Sequence, residues 1–207
     1  MNKNSRITQI VVCVGIVLLF LFCYGVFLGP LTPNLRAAKR SATMQQAHAI
    51  GLCLSAYAQD HNGHYPEGKT STEVFQKLLD GNYVTDPKIF YAGFLEIPRK
   101  VPPESKSLKQ ENVCWDVTCC VDSSAPNQLP VVFQTGFKVT YQPGTAAMPV
   151  DHSPRTWNGP EFTKTFIAVS YASGSSMVKR ADDKGEIPDF ISSDFDPKGK
   201  TYQQLTP

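Results

Sequence analysis

Residues 10–28 read IVVCVGIVLLFLFCYGVFL, a run of nineteen residues without a charge and rich in Val, Leu, Ile and Phe. At about 1.5 Å per residue, a helix of this length spans roughly 28 Å, close to the hydrocarbon thickness of a bilayer. A secretory signal peptide has a shorter apolar core and a small-residue cleavage site, and no such site follows here. We therefore predict an uncleaved transmembrane helix over 10–28, with a cleaved signal as the alternative.

The flanks of this run set the expected topology. Basic residues precede it at Lys3 and Arg6, and a basic cluster follows it over 36–40. A tail as short as 1–9 is easily retained in the cytoplasm, so we predict the N-terminus inside and the remaining domain outside. Gly29, Pro30 and Pro33 are expected to interrupt the helix before the domain begins.

The near balance of basic and acidic residues bears on the binding partners that we expect. The chain carries 20 Lys and Arg against 18 Asp and Glu, and its basic residues are scattered apart from the 36–40 cluster. Nucleic acid is therefore not an expected partner. The cluster beside the apolar run is expected to meet lipid headgroups, which makes the bilayer the first predicted partner.

A long amphipathic helix is predicted over 34–66. Its apolar residues recur at spacings of three and four, at Ala47, Ile50, Leu54 and Ala58, and Gly63 suits a left-handed C-terminal position. A shorter helix should follow, because Thr70 and Glu73 form a capping box ahead of an apolar stripe. That stripe consists of Val74, Leu78 and Leu79.

The period then changes to one typical of strands. β-branched and aromatic residues bounded by turn residues predict an antiparallel sheet. The predicted strands are Val113–Val121, Leu129–Thr135, Phe137–Gln142, Thr165–Tyr171 and, after a hairpin turn at 172–175, Ser176–Arg180. Loops are expected over 98–110 and 144–159. We predict an α+β domain over 67–181 and a polar C-terminal tail over 182–207, with Phe190 and Ile191 as its main apolar foothold.

Six cysteines need an interpretation. Cys13 and Cys23 lie in the predicted span, where a thiol behaves as a small apolar group. The other four allow three complete disulfide pairings, between which the sequence does not choose. Neighbouring cysteines rarely bond each other, so one arrangement pairs Cys114 with Cys119 or Cys120, and Cys53 with the other. A metal site is the alternative, although the chain contains no Cys-x-x-Cys pair.

Four blocks of the chain together resemble a known family. They are residues 34–66 (NLRAAKRSATMQQAHAIGLCLSAYAQDHNGHYP), 78–90 (LLDGNYVTDPKIF), 122–134 (DSSAPNQLPVVFQ) and 166–180 (FIAVSYASGSSMVKR). Their order is similar to that of type IV pilin-like and type II secretion pseudopilin-like proteins, the bacterial set with a prepilin-type N-terminus. The matching positions of the long helix and its exit are Arg36, Gly51, Leu52, Leu54, Tyr57, Asp60, Gly63, Tyr65 and Pro66.

The resemblance implies a pilin-like fold, in which a transmembrane helix continues into a long helix packed on an antiparallel sheet. It also implies a single-pass protein of the cell inner membrane, with a periplasmic or extracellular domain and other pilin-like or secretion-system subunits as partners. Two features depart from the family pattern. The span contains neither the prepilin cleavage signature nor a Glu, and Ser173 stands where an Asp is usual.

Candidate ligand groups are few. Asp60, His61 and His64 could bind a metal, but a solvated helix end is the favoured interpretation. Pseudopilins can bind calcium in a C-terminal loop, which makes the acidic residues of the tail weak calcium candidates. These are Asp182, Asp183, Asp189, Asp194 and Asp196, with Glu186 among them, although a solvated tail is the simpler interpretation.

The residues show no catalytic constellation, so we predict a non-enzymatic, pseudopilin-like structural protein of the bacterial envelope without a cofactor, calcium excepted. The first alternative is an anchored binding module of the same fold that does not polymerise. The second is an envelope enzyme or metal-dependent protein that uses His61 and His64 or the cysteines.

Overall fold

The computed structural model describes residues 14–20, 22, 31–92, 100–102, 107–150 and 166–207. The chain divides into two compact units, Met1–Ser41 and Ala42–Pro207. In the first unit, residues 14–20 are helical and their side chains are exposed. The predicted N-terminus 1–9, most of the predicted span 10–28, and Thr165 lie outside the described residues. Within the described part of the chain, no helix combines the length and the apolar character needed to cross a membrane.

The long helix, α1, covers Leu31–Asp60. It begins earlier than predicted, because Pro33 lies within its first turn rather than interrupting it. Backbone N–H groups of a first turn have no partner within the helix, so a proline is tolerated there. The predicted apolar face is confirmed, since four residues at helical spacing are at most 5% exposed: Ala47, Ile50, Leu54 and Ala58.

Gly51 allows α1 to pack closely on the sheet. A Cβ atom at this position would lie 2.3 Å from the Ser170 Oγ and 3.0 Å from the Ser170 Cβ. The helix ends at Asp60, before the predicted 66, but the predicted left-handed glycine follows it: Gly63 has a φ of +84° and donates its backbone N–H to the Ala58 carbonyl over 2.7 Å.

The second helix, α2, covers Ser71–Asp80 and uses a modified capping box. The Thr70 Oγ1 accepts from the Glu73 backbone N–H over 3.2 Å, as predicted. The Glu73 carboxylate accepts from the Lys69 N–H over 2.8 Å instead of from the cap residue itself. The predicted stripe is buried together with Phe75, whose ring stacks on Phe90 at 4.4 Å.

Within the described residues, seven strands form two sheets. The strands are β1 (Trp115–Thr118), β2 (Pro130–Gln134), β3 (Phe137–Lys138), β4 (Met148–Pro149), β5 (Phe166–Tyr171), β6 (Ser176–Arg180) and β7 (Gln204–Leu205). Five of them form an antiparallel sheet in the order β6-β5-β2-β1-β7, and β3 pairs with β4. The mixed helices and antiparallel sheet confirm the α+β class.

The central strands are buried on both faces. Every residue of β1, β2 and β5 is buried. Ser170, Val132 and Val117 follow one another across the register, so they share the face that α1 covers. On the opposite face Phe133 meets the ring of Phe190 edge-on at 5.4 Å. The C-terminal residues therefore form the layer opposite the helix.

Three predictions about the second half of the chain need correction. The predicted strand 137–142 pairs only over Phe137–Lys138, and its partner β4 lies in the predicted loop 144–159. The remainder of that loop, from 151, is outside the described residues, and so are parts of the loop 98–110. Residues 182–207 are not a polar tail, because they contribute β7 and several core side chains. Those buried side chains are Ile187, Phe190, Ile191, Phe195 and Tyr202.

Candidate functional site

Two loops that are far apart in the sequence lie side by side at the end of α1. The exit loop 61–65 packs on the turn 119–124 that follows β1. Tyr65 donates its backbone N–H to the Val121 carbonyl over 3.2 Å, and Ser123 donates its own to the Gly63 carbonyl over 2.9 Å. These bonds account for backbone groups that would otherwise lack partners after the helix and the strand end.

The C-terminal segment reaches the same place. Lys200 Nζ lies 2.6 Å from the Asp122 Oδ1 and 2.6 Å from the Ser124 Oγ. Cys119 donates its backbone N–H to the Gln203 carbonyl over 2.9 Å. We call residues 61–65, 119–124 and 198–203 the junction. It ties the exit of the helix, the end of β1 and the C-terminal segment together.

The electrostatics of the junction centre on one carboxylate. The Lys200 ammonium, and after it the Ser124 hydroxyl, lower the pKa of Asp122 to about 2. Its side chain is 29% exposed and that of Lys200 is 32% exposed, so the pair is only partly shielded from water. The ion pair therefore stabilises the junction geometry modestly. The shift in the pKa of Asp122 is explained by this structural ion pair and does not by itself indicate a catalytic carboxylate.

An aromatic cluster borders the junction at the end of α1. The His61 ring stacks on the Tyr57 ring with centroids 3.7 Å apart, and the Tyr83 ring lies 5.3 Å from that of Tyr57. The Tyr83 hydroxyl donates to the Asp60 carboxylate over 2.8 Å, which raises the pKa of Tyr83. An open cleft of about 380 Å³ lies beside this cluster and also borders His64.

Of the two histidines predicted as metal ligands, His61 has another partner, and His64 lines the cleft. His61 Nδ1 lies 2.8 Å from the Tyr57 carbonyl and donates its proton to it, since a carbonyl only accepts. Asp60 is held by the hydroxyl of Tyr83. Within the described residues, no group of three His, Cys, Asp or Glu side chains is placed to hold a metal ion.

Two of the calcium candidates of the C-terminal segment, Asp182 and Asp196, act as local turn caps. The Asp182 Oδ1 accepts the backbone N–H groups of Lys184 and Glu186, each over 2.9 Å. The Asp196 Oδ1 accepts from the Lys198 N–H over 2.8 Å. These bonds stabilise the backbone of three-to-five-residue turns, as short acidic side chains commonly do.

No disulfide joins the cysteines that the structure describes, which are Cys53, Cys114, Cys119 and Cys120. Of the arrangements left open by the sequence, a pairing of Cys114 with Cys119 does not fit the geometry of β1. The extended strand β1 lies between Cys114 and Cys119. Five residue-to-residue rises of about 3.3 Å each place their Cα atoms roughly 16 Å apart. A disulfide allows at most about 7 Å between Cα atoms. The structure instead brings the sulfurs of Cys119 and Cys120 to 3.1 Å.

Sequence reasoning missed a buried polar link between β7 and the neighbouring strands. The Gln204 amide nitrogen donates to the Asp116 Oδ2 and to the Phe137 carbonyl, each over 2.6 Å. The Gln204 Oε1 accepts from the Val139 backbone N–H over 2.9 Å. One side chain thus joins three chain segments, and only the alternation of β1 hinted that Asp116 faces inward.

A second buried polar link lies on the same face of the sheet. The Thr118 hydroxyl donates to the Pro130 carbonyl, so the Tyr141 hydroxyl donates to the Thr118 Oγ1 over 2.7 Å. Burial raises the pKa of Tyr141 well above its usual range. These groups fix the layer opposite α1 and keep its tyrosine protonated.

Comparison with protein-family models, with curated proteins and with solved structures gives no match.

Proposed function

We propose that this chain is a membrane-anchored, pseudopilin-like structural or assembly protein of the bacterial cell envelope and that it is not an enzyme. The observation that carries the proposal is the packing of α1 on the sheet. An apolar stripe of the helix and the close approach of Gly51 to Ser170 hold the helix against a five-stranded antiparallel sheet. The apolar run 10–28 precedes this helix in the sequence.

The architecture supports a mechanical function. The sheet is covered by α1 on one face and by the C-terminal segment on the other, so a folded domain would follow the anchor. The functional loops would be those displayed by this domain rather than a catalytic cleft. Lipid and other pilin-like or secretion-system subunits are the partners that fit this interpretation, and the domain would face the periplasm or the exterior.

A second candidate is an anchored binding module that does not polymerise. The sequence observation that favours it is the composition of the run 10–28, which contains no Glu and no prepilin cleavage signature. A carboxylate within a membrane is costly unless it is paired, and families that keep one use it for a specific contact. A chain without that group would retain the anchor and the domain but lack this assembly contact.

The intact mass and N-terminal residue of the protein, extracted from its native membrane, separate these candidates. A chain that begins at or near Met1 has a permanent anchor and favours the non-polymerising module. A chain shortened within residues 1–25, with a methylated new N-terminus, restores the filament subunit. A chain that lacks the whole run 10–28 contradicts both candidates.

Crosslinking through native thiols tests assembly directly. Cys13 and Cys23 lie within the run 10–28, so packed helices of neighbouring subunits should form disulfide-linked ladders upon mild oxidation of intact membranes. A Cys119→Ser/Cys120→Ser variant keeps those thiols and removes the vicinal pair, whereas Cys13→Ser/Cys23→Ser is the matched negative control. Ladders in the first variant and not in the second support assembly, and monomers in both support the module.

A further inference from the structure

We propose that Cys119 and Cys120 form a dithiol site that reacts with small disulfides, such as oxidised glutathione, and closes into a vicinal disulfide. Three observations on the described residues carry the proposal. Their Sγ atoms lie 3.1 Å apart, the Cys120 side chain is exposed, and Cys120 has a φ of +61°. The proposal is independent of the membrane anchor, and its test does not depend on that anchor.

The backbone conformation of Cys120 matters because it is unusual for this residue. A φ in the left-handed region is uncommon outside glycine, asparagine and aspartate. Here it turns the chain sharply after Thr118 and Cys119 at the end of β1, instead of alternating the two side chains across a strand. Adjacent strand residues would point to opposite faces, whereas this turn brings the two sulfurs together.

The two thiols differ in access, which assigns their order of reaction. The exposed Cys120 thiolate attacks one sulfur of the small disulfide, forms a mixed disulfide and releases the first small thiol. Cys119 is half-buried, and burial, followed by the contact with Cys120, raises its pKa to about 11. Because Cys119 is less accessible than Cys120 and its sulfur already lies beside that of Cys120, it acts in the second step, in which it loses its proton and attacks the Cys120 sulfur.

The second step releases the other small thiol and leaves the Cys119–Cys120 disulfide. Two hydrogens leave the protein and reduce the two sulfurs of the small disulfide, so electrons and atoms balance. The reverse reaction needs two small thiols. No third oxidant enters the scheme.

The closed form should open easily. Neighbouring Cα atoms lie about 3.8 Å apart across a trans peptide, below the range of about 4.4–6.8 Å that disulfides usually occupy. Strained and exposed disulfides have more oxidising potentials and are the labile ones. The site is therefore suited to reversible chemistry rather than to a permanent crosslink.

Closure would also act on the junction. The Cys119 backbone N–H donates to the Gln203 carbonyl, and Thr118 pairs with Gln204 in the β1–β7 register. A shift of the 119–120 peptide would weaken this hydrogen bond. Oxidation is therefore expected to speed the exchange of the Cys119 amide hydrogen several-fold.

Glutathione titration of the purified full chain in detergent tests the site. The chain is equilibrated at increasing ratios of oxidised to reduced glutathione, quenched with acid, alkylated with N-ethylmaleimide and mapped by mass spectrometry. We expect the peptide containing Cys119 and Cys120 to lose two hydrogens and both alkylation sites together. In a Cys119→Ser variant, Cys120 should instead accumulate one glutathionyl group, because the second attack is removed.

Two controls make the test decisive. A Cys53→Ser variant should close at the same ratio as the wild type, and thiol reduction should restore both alkylation sites. The proposal is overturned if both thiols remain alkylated at the highest ratio, or if glutathione stops on Cys120 in the wild type. It is also overturned if Cys120 bonds Cys53 or a second copy of the chain.

Discussion

Helix α1 and the C-terminal segment 182–207 cover opposite faces of the same sheet, yet the sequence describes them very differently. The buried face of the helix can be predicted from the sequence, because its apolar residues recur at a helical spacing. The C-terminal segment has six carboxylates and no such period, but it buries Ile187, Phe190 and Ile191 completely. A segment of polar composition can therefore contribute several residues to the hydrophobic core.

The difference lies in how each layer is held. The helix satisfies its own backbone groups and needs only one apolar stripe. The C-terminal segment is held by partners from distant parts of the chain. Its backbone bonds to residues such as Ala147 and Thr145, and single side chains add further contacts. Lys179 of β6, for example, donates to the Phe190 carbonyl, and its ammonium lies 5.8 Å from the Phe190 ring centroid. Partial burial of the Lys179 ammonium lowers the pKa of Lys179.

The strongest test of the C-terminal layer is Phe190→Ala. The side chain is fully buried and packs on Phe133, so its loss should lower the free energy of unfolding by about 3–5 kcal/mol. Urea unfolding followed by tryptophan fluorescence measures the change. Asp183→Ala, an exposed position in the same segment, should stay within about 0.5 kcal/mol. Equal, small effects would mean that the segment is a polar tail after all.

Gln204→Ala tests the single side chain that joins β7 to its neighbours. It removes the donor to the buried Asp116 side chain, and a buried acceptor that loses its donor costs about 1–3 kcal/mol. Gln203→Ala is the matched control, because that side chain is exposed and its contact with Cys119 uses only the backbone. If the two variants unfold at the same urea concentration, the link is not a stabilising one.

Gly51→Ala tests the opposite layer. Alanine favours a helix by about 1 kcal/mol over glycine, but overpacking costs about 1–3 kcal/mol. Because the new Cβ would lie 2.3 Å from the Ser170 Oγ, we expect a net loss of up to about 2 kcal/mol in thermal or urea unfolding. Adding Ser170→Ala should recover part of it. A stabilised Gly51→Ala protein would show that α1 does not approach the sheet this closely.

The smallest expected effect concerns the Asp122–Lys200 ion pair. The folded pKa of Asp122 is about 2, below the unfolded value of 3.8, so the pair stabilises the fold above pH 3.8. That contribution is lost as the pH falls through about 2. After discounting for exposure, Lys200→Met should cost about 1 kcal/mol at neutral pH and almost nothing near pH 2. A pH-independent difference between the two proteins would contradict this assignment.

Whether the sequence could predict an interaction depends on how far apart its residues lie along the chain. The buried stripe of α1, the Thr70 cap and strand Ser176–Arg180 depend on residues a few positions apart, and all three are confirmed. The Asp122–Lys200 pair joins residues 78 positions apart, and its residue types occur all along the chain. Nothing local distinguishes such a pair from solvated charges.

The cysteines also show that contacts set by the tertiary fold are not predictable from local sequence. A general tendency of neighbouring cysteines led to a prediction that paired Cys114 with Cys119 or Cys120. The extended conformation of β1 holds Cys114 away from Cys119, and the left-handed backbone at Cys120 accompanies the close approach of the Cys119 and Cys120 sulfurs. Both are properties of the folded chain, since strand length and a single positive φ depend on tertiary packing as much as on local residues.

The central claim, that the run 10–28 anchors this domain in a membrane, is tested most directly by alkaline carbonate extraction of native membranes. We predict that the wild-type chain stays in the membrane pellet. A Leu18→Lys/Leu19→Lys variant should move to the supernatant, because each charge at the centre of a span costs about 2.5–3.5 kcal/mol. Release of the wild-type chain with full length intact would contradict the anchored, pseudopilin-like interpretation.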